Sequence, residues 1–194
     1  MSDPLALFGE WFGAAQKTEP EPTAMCLATV HPDGGPNARM VLMKSFDRGF
    51  VFFTHATSQK GTEMAANPHV ALVFHWHTQH RSVRIRGVVS AIASHESDAY
   101  WTTRARSAQL SALATLQSEP MPERSVLEAR VSLLETQFPE GTAIPRPPHW
   151  HGFVVAPLSI EFWTSAGVSR LHDRQLFVRR TLDAHEWEHS LLQP

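Results

Sequence analysis

The feature that most constrains this chain is a series of short extended runs joined by tight turns. Met25 to Val30, Arg39 to Phe46, Phe50 to His55, Val70 to Thr78 and Ser82 to Ile92 are strand-like. Pro32-Asp-Gly-Gly-Pro36, Asp47-Arg-Gly49 and Gln79-His80 break the chain between neighbouring runs. Strands that follow one another through turns this short must pair antiparallel. The last third repeats the pattern at Gly152 to Val155, Ser159 to Trp163, Arg170 to Arg179 and around Trp187. No strand-helix-strand rhythm with glycine fingerprints appears, which disfavours a parallel nucleotide-binding sheet.

Helices punctuate these runs. Pro4 suits a first helical position, and Leu5, Phe8, Phe12 and Ala15 recur at spacings of three and four, so a helix is expected over about residues 4–16. Ser58 can cap a short helix that Pro68 stops, and Ser94 can cap a longer one with Glu96 and Asp98 in its first turn. On the latter, Tyr100 and Arg104 lie four apart and share a face. Leu127, Val131, Leu134 and Phe138 mark a further helix, closed by Pro145, Pro147 and Pro148. The expected fold is mainly β with peripheral helices, an antiparallel barrel formed as a single domain over 1–194.

Composition narrows the function. A 42% hydrophobic content over 194 residues supports a continuous core without crosslinks. Cys26 is the sole cysteine, which rules out an internal disulfide and fits a reducing cytoplasm. The opening residues lack a signal-peptide pattern, and no run of apolar residues is long enough for a membrane span. With 17 Lys plus Arg against 19 Asp plus Glu, a basic nucleic-acid surface is not expected. Any anion is expected to be bound locally.

Several fragments call for an anion. Arg39, Met40, Val41, Leu42, Met43 and Lys44 form an apolar run with a cation at each end, and strand alternation sends Arg39 and Lys44 to opposite faces. The inward one needs a carboxylate or a bound phosphate. Arg170, His172 and Arg174 would share one face of a strand, where they could grip an anion or, as a solvated edge, simply face water. Ser58, Gln59 and Lys60 at a helix start could hold a phosphate. Ile160-Glu-Phe-Trp163 could stack a planar ring system. His75-Trp-His77 and His149-Trp-His151 have the spacing of a pair of metal ligands, but neither brings an obvious third, so no metal is expected.

Taken in order, Arg39 to Lys44, Phe53-Thr54, Ser58-Gln-Lys60, Trp76-His-Thr78, Tyr100 to Arg104, Gln117-Ser118, Glu161-Phe-Trp163 and Arg170-Leu-His-Asp-Arg174 resemble the pyridoxamine 5'-phosphate oxidase family from about Asp3 to Pro194. The resemblance implies a split-barrel homodimer with FMN at each of two interface clefts. It implies flavin contacts at Arg39 to Lys44, Phe53, Thr54, Lys60, Gln117, Ser118, Trp163 and Arg174, with Gln59 and Ser82 at positions where the family usually has Arg and Gln. It implies that Lys44, Tyr100 and Arg104 hold the phosphate of a phosphorylated B6 vitamer, with Arg170 and His172 as the catalytic pair over the pyridine ring. Hydride would pass from the substrate's C4' carbon to the flavin, dioxygen would reoxidise it to give hydrogen peroxide, and pyridoxal 5'-phosphate would leave.

Gln59 removes one cation from the expected FMN phosphate site, Ser82 shortens a reach to the flavin, and Ala108 replaces a Ser that usually assists the substrate phosphate. Ser58-Gln-Lys60 also resembles the related flavin oxidases that act on a phenazine precursor, and a non-catalytic binder of FMN or pyridoxal phosphate is a further alternative.

Overall fold

The computed structural model describes residues 3–194. In chain order the elements are α1 (Pro4–Ala15), β1 (Ala24–Val30), β2 (Pro36–Leu42), β3 (Phe50–His55), α2 (Gln59–Ala66), β4 (His69–Trp76), β5 (Arg81–Ala91), α3 (Ser94–Thr103), α4 (Arg106–Ala114), α5 (Arg124–Gln137), β6 (Trp150–Thr164), β7 (Asp173–Val178) and β8 (Glu188–Leu191). The strands form one sheet in the order β2-β1-β4-β5-β6-β7-β8, with β3 also paired to β6. The registered pairs β1·β2, β1·β4, β4·β5, β6·β7 and β7·β8 are antiparallel, and for β1·β2 and β4·β5 the short turns between the strands require it.

The chain divides into two compact units. The first comprises the described part of Met1–Phe52 with Glu63–Ser90 and Val154–Pro194. Its core is aromatic. Phe8 is fully buried, and its ring meets those of Phe46, Phe50 and Phe74 edge-on at 5.0, 4.9 and 5.1 Å. Asp3 caps α1 by accepting from the Leu5 N–H at 3.0 Å. Gly87 allows the backbone of β5 to approach β6, since a Cβ there would lie 2.2 Å from the Ala156 carbonyl oxygen.

The second unit comprises Phe53–Thr62 and Ala91–Phe153. Its core gathers Trp101, Leu110, Ala112, Ile144 and Trp150, against which Phe53, Tyr100, Leu134 and Phe138 pack. The Trp101 indole N–H donates to the Ile144 carbonyl at 2.7 Å. Within Ala91–Phe153, α4 was not anticipated from the sequence. Its buried face is only Leu110, Ala112 and Ala114, too little apolar content to stand out as a helical stripe.

Several elements differ from expectation. β2 stops at Leu42: the Lys44 N–H turns to the Val51 carbonyl at 2.7 Å and Ser45 bridges to Val51, so the chain changes pairing partner before Phe46. The runs at Gly152 to Val155 and Ser159 to Trp163 are one strand, β6, which continues through Pro157, whose carbonyl accepts from the Arg179 guanidinium at 2.6 Å. Ser94 is the first residue of α3 and not its cap. The preceding Ala93 N–H is bound by the Glu96 carboxylate at 3.1 Å, while Ser94 Oγ accepts from Arg146 at 2.7 Å.

Candidate functional site

In the first unit, β2 presents Arg39 on its inward side, while Met40 and Leu42 are 62% and 40% exposed. The Arg39 guanidinium donates to Glu63 at 2.9 Å, to the Leu27 carbonyl at 3.2 Å and to Thr29. Glu63 is buried and also accepts from Thr29 at 2.5 Å and Asn37 at 2.9 Å. Burial opposes its charge, but these three donors outweigh burial and hold the carboxyl below its ordinary range. The partner demanded by Arg39 is therefore an internal carboxylate. Lys44 lies past the end of β2 and is exposed, and Met43 is buried.

A second cluster centres on Glu161 of β6. Its buried carboxylate takes Arg174 at 2.7 Å and also Arg84. Register places Trp163 opposite Arg174. A pocket of about 320 Å³ opens here, lined by Val73, His75, Ser82, Arg84, Glu161 and Trp163. The structure thus brings Ser82, Trp163 and Arg174 into one region around Glu161, to which the sequence reading gave no role of its own. Glu161 shares a face of β6 with Trp163, two residues on, but its pairing with Arg174, 13 residues away, has no local signal.

Arg170 and His172 do not sit on a strand. Arg170 ends a short turn of helix at Gly167–Ser169 in the left-handed conformation, φ +54°, and β7 begins only at Asp173. Strand alternation therefore does not align Arg170, His172 and Arg174. Arg170 is exposed, whereas the His172 ring packs on Trp163 with centroids 4.7 Å apart and its Nδ1 accepts from the Ala166 N–H at 3.2 Å. With Nδ1 acting as acceptor, the neutral ring carries its proton on Nε2.

The second unit holds the other cluster. The Gln117 side-chain carbonyl accepts from both Thr54 Oγ1 and Lys60 Nζ at 2.8 Å. Ser58 Oγ donates to the His55 carbonyl at 2.7 Å and accepts from the Gly61 N–H at 3.3 Å, which fixes the chain as it enters α2. Ser118 is exposed with φ +76°, and Gln59 is exposed. The Phe53 ring stacks on those of Tyr100 at 4.0 Å and Trp150 at 5.0 Å, whose own centroids lie 6.2 Å apart. Gly152 makes room for it, since a Cβ there would lie 2.7 Å from a Phe53 ring carbon.

Arg104 lies beyond the end of α3, which stops at Thr103, so helical spacing does not relate it to Tyr100. Its guanidinium sits over the Trp150 ring at 4.9 Å and donates to the Ala108 carbonyl at 3.0 Å, while its Nε is buried without a partner. The same is true of His55 Nδ1, on a side chain missed by sequence reasoning. Burial, reinforced by His149, Lys60 and Arg104, lowers His55 to about 4.

His75 lies on β4 while His77 starts the turn after it, so the two are not alternate residues of one strand. Among the described residues no group of three or more His, Cys, Asp or Glu side chains is placed to hold a metal ion, and no helix is long and apolar enough to cross a membrane.

Comparison with known proteins accounts for this arrangement. Residues 13–138 match the family described as pyridoxamine 5'-phosphate oxidase, and residues 150–194 match the pyridoxine 5'-phosphate oxidase C-terminal dimerisation region. A pyridoxine/pyridoxamine 5'-phosphate oxidase of Azorhizobium caulinodans is 48% identical over 99% of this chain and 90% of its own length. One of Gluconobacter oxydans is 46% identical over 100% of this chain and 95% of its own length. Among solved structures, PhzG from Burkholderia lata, crystallised with tetrahydrophenazine-1-carboxylic acid, superposes with a TM-score of 0.91 at 32% identity, covering 100% of this chain and 94% of that one. An FMN-binding protein of Nostoc punctiforme, 20% identical, shares the fold with a TM-score of 0.79 over 100% of both chains. The split-barrel sheet and the motifs strung along it have one common origin: the chain belongs to the pyridoxamine 5'-phosphate oxidase family.

Proposed function

We propose that this chain is an FMN-dependent oxidase that converts pyridoxine 5'-phosphate or pyridoxamine 5'-phosphate to pyridoxal 5'-phosphate, with dioxygen as acceptor and hydrogen peroxide released. The carrying observation is near-complete alignment, at 46% and 48% identity, with relatives named for that activity, in a chain that keeps Lys44, Tyr100, Arg104, Arg170 and His172. A homodimer is proposed on the match of residues 150–194 to a dimerisation region, within which Leu171 and Leu191 are 71% and 76% exposed. The single thiol, Cys26, fits a reducing cytoplasm.

The residues present suit FMN. Two buried nitrogens, His55 Nδ1 and Arg104 Nε, lack partners beside the buried ammonium of Lys60, a donor set suited to an anion. In this reading Lys60, Thr54, Gln117 and Ser118 hold the cofactor phosphate, with Gln59 contributing no charge. Arg39 to Lys44, Phe53, Ser82, Trp163 and Arg174 bound the flavin. When bound, FMN accepts the electrons removed from the substrate's C4' carbon and passes them to dioxygen.

The chain's own contribution is placement. Glu161 fixes the Arg174 guanidinium, and Glu63 fixes Arg39, so both cations are oriented before any ligand arrives. Lys44, Tyr100 and Arg104 hold the vitamer phosphate. Arg170 and His172 orient the pyridine ring, and the Ala166 bond to Nδ1 leaves the proton of the neutral His172 ring on Nε2.

A phenazine-type substrate is the second reading, favoured by the 0.91 TM-score to PhzG and by Gln59. Side-by-side turnover of pyridoxine 5'-phosphate and a reduced phenazine carboxylate by the FMN-loaded protein separates them. Turnover of the phenazine alone overturns the B6 assignment.

A further inference from the structure

His55 is a buried titratable group to which the mechanism above gives no assigned contact. It is 4% exposed, at the end of β3, with its ring 4.8 Å from that of His149. Its Nδ1 is fully enclosed and has no hydrogen-bond partner. The charged and titratable groups that act on it are His149, Lys60 and Arg104, none of them acidic. Arg104 contributes a second enclosed nitrogen without a partner, its Nε. A buried polar nitrogen left unsatisfied is costly, and two of them near a buried ammonium call for an acceptor.

We infer that His55 is a phosphate-binding residue, whose Nδ1–H donates to a phosphate monoester bound beside it, either the one assigned to Lys60 or the one assigned to Arg104. The inference rests on the function proposed above, which supplies the two phosphates in question, that of FMN and that of the B6 vitamer. Neutral imidazole with its proton on Nδ1 is a donor. Without a ligand, burial keeps this ring neutral down to about pH 4, so no like charge is added beside Lys60 and Arg104 before the phosphate arrives. Gln59, the neighbour of Lys60, is exposed and neutral and brings no charge.

The test compares each phosphorylated ligand with its dephosphorylated form. The apoprotein is titrated with FMN and with riboflavin by flavin fluorescence, and the FMN-loaded protein with pyridoxal 5'-phosphate and with pyridoxal by equilibrium dialysis. His55→Leu removes the donor, and His55→Asn restores an N–H near the same place. His55→Leu is expected to weaken one phosphorylated ligand roughly ten- to a hundredfold, the scale of a hydrogen bond to a charged group, and to leave its dephosphorylated form unchanged. His55→Asn recovers most of that loss. A loss confined to FMN assigns the cofactor phosphate, and one confined to pyridoxal 5'-phosphate assigns the vitamer phosphate. Equal effects on phosphorylated and dephosphorylated ligands in both arms, or none, overturn the inference while leaving the proposed function standing. Wild-type protein that shows no preference for FMN over riboflavin overturns both. If His55→Leu does not fold, nitrogen NMR of the wild-type ring decides: the Nδ1 resonance must respond to a phosphorylated ligand and not to its dephosphorylated form, and an unresponsive resonance refutes the assignment.

Discussion

Replacing Glu63 by Leu tests whether the Arg39 charge is held by the protein itself. The Glu63 carboxylate is 1% exposed and takes Thr29, Asn37 and Arg39, and the Arg39 side chain is 18% exposed. Removing the acid leaves a mostly buried guanidinium with no counter-charge. Breaking a buried pair costs about 3–5 kcal/mol, and the residual exposure of Arg39 puts this one near 3 kcal/mol. For a chain of this length that is a fall in Tm of roughly 6–12 °C. Arg39→Met should cost a similar amount because it strands the carboxylate. The double variant should cost about as much as either single one, since neither charge is then left alone. Thermal unfolding of the four apoproteins by circular dichroism measures this. Strictly additive losses, or a Glu63→Leu shift within about 1 °C of wild type, would show that Glu63 does not anchor Arg39.

Other perturbations follow from the same geometry. Lys60→Ala should chiefly weaken FMN retention, read by flavin fluorescence on dilution; unchanged retention puts the cofactor phosphate elsewhere. Arg170→Ala should lower turnover far more than FMN occupancy, because its exposed side chain is assigned to substrate, and an equal loss of both sinks that role. Because folded His55 is lowered to about 4 from 6.5, its contribution to stability is full above the unfolded value and is lost as pH falls through that window. Urea unfolding should therefore show up to about 2 kcal/mol less stability from this group at about pH 5 than at about pH 7, and His55→Leu should flatten that slope. Gly152→Ala places a methyl 2.3 Å from Ile92 and 2.7 Å from Phe53, so it should destabilise by about 1–3 kcal/mol, measured in the same assay.

Much of the sheet could be read from the sequence because its signals are local. Phe50–His55 was read with both ends correct, since Gly49 precedes it and the β-rich run is unbroken. The Ser58 cap was equally plain, as was the helix bearing Leu127 and Leu134, although that helix stops at Gln137, well before the Pro145 expected to end it. What was lost depends on partners distant in the chain. Pro157 looked like a break, but β6 passes through it. Arg104 and Arg170 were placed by periodicity inside regular elements, whereas each stands just past the end of one, where the backbone changes region. The cations themselves were found, yet their carboxylates were not: Glu63 is 24 residues from Arg39 and Glu161 is 13 from Arg174. Buried acids give no periodic signal, and only the folded chain shows which arginine each one meets. Order of motifs along the chain, rather than spacing within any one of them, made the family legible.

The most direct measurement is oxygen uptake by the purified protein, reconstituted with FMN and given pyridoxine 5'-phosphate and pyridoxamine 5'-phosphate in turn. The account predicts uptake matched by hydrogen peroxide and pyridoxal 5'-phosphate. Tight FMN binding without uptake on either substrate would contradict the proposed activity.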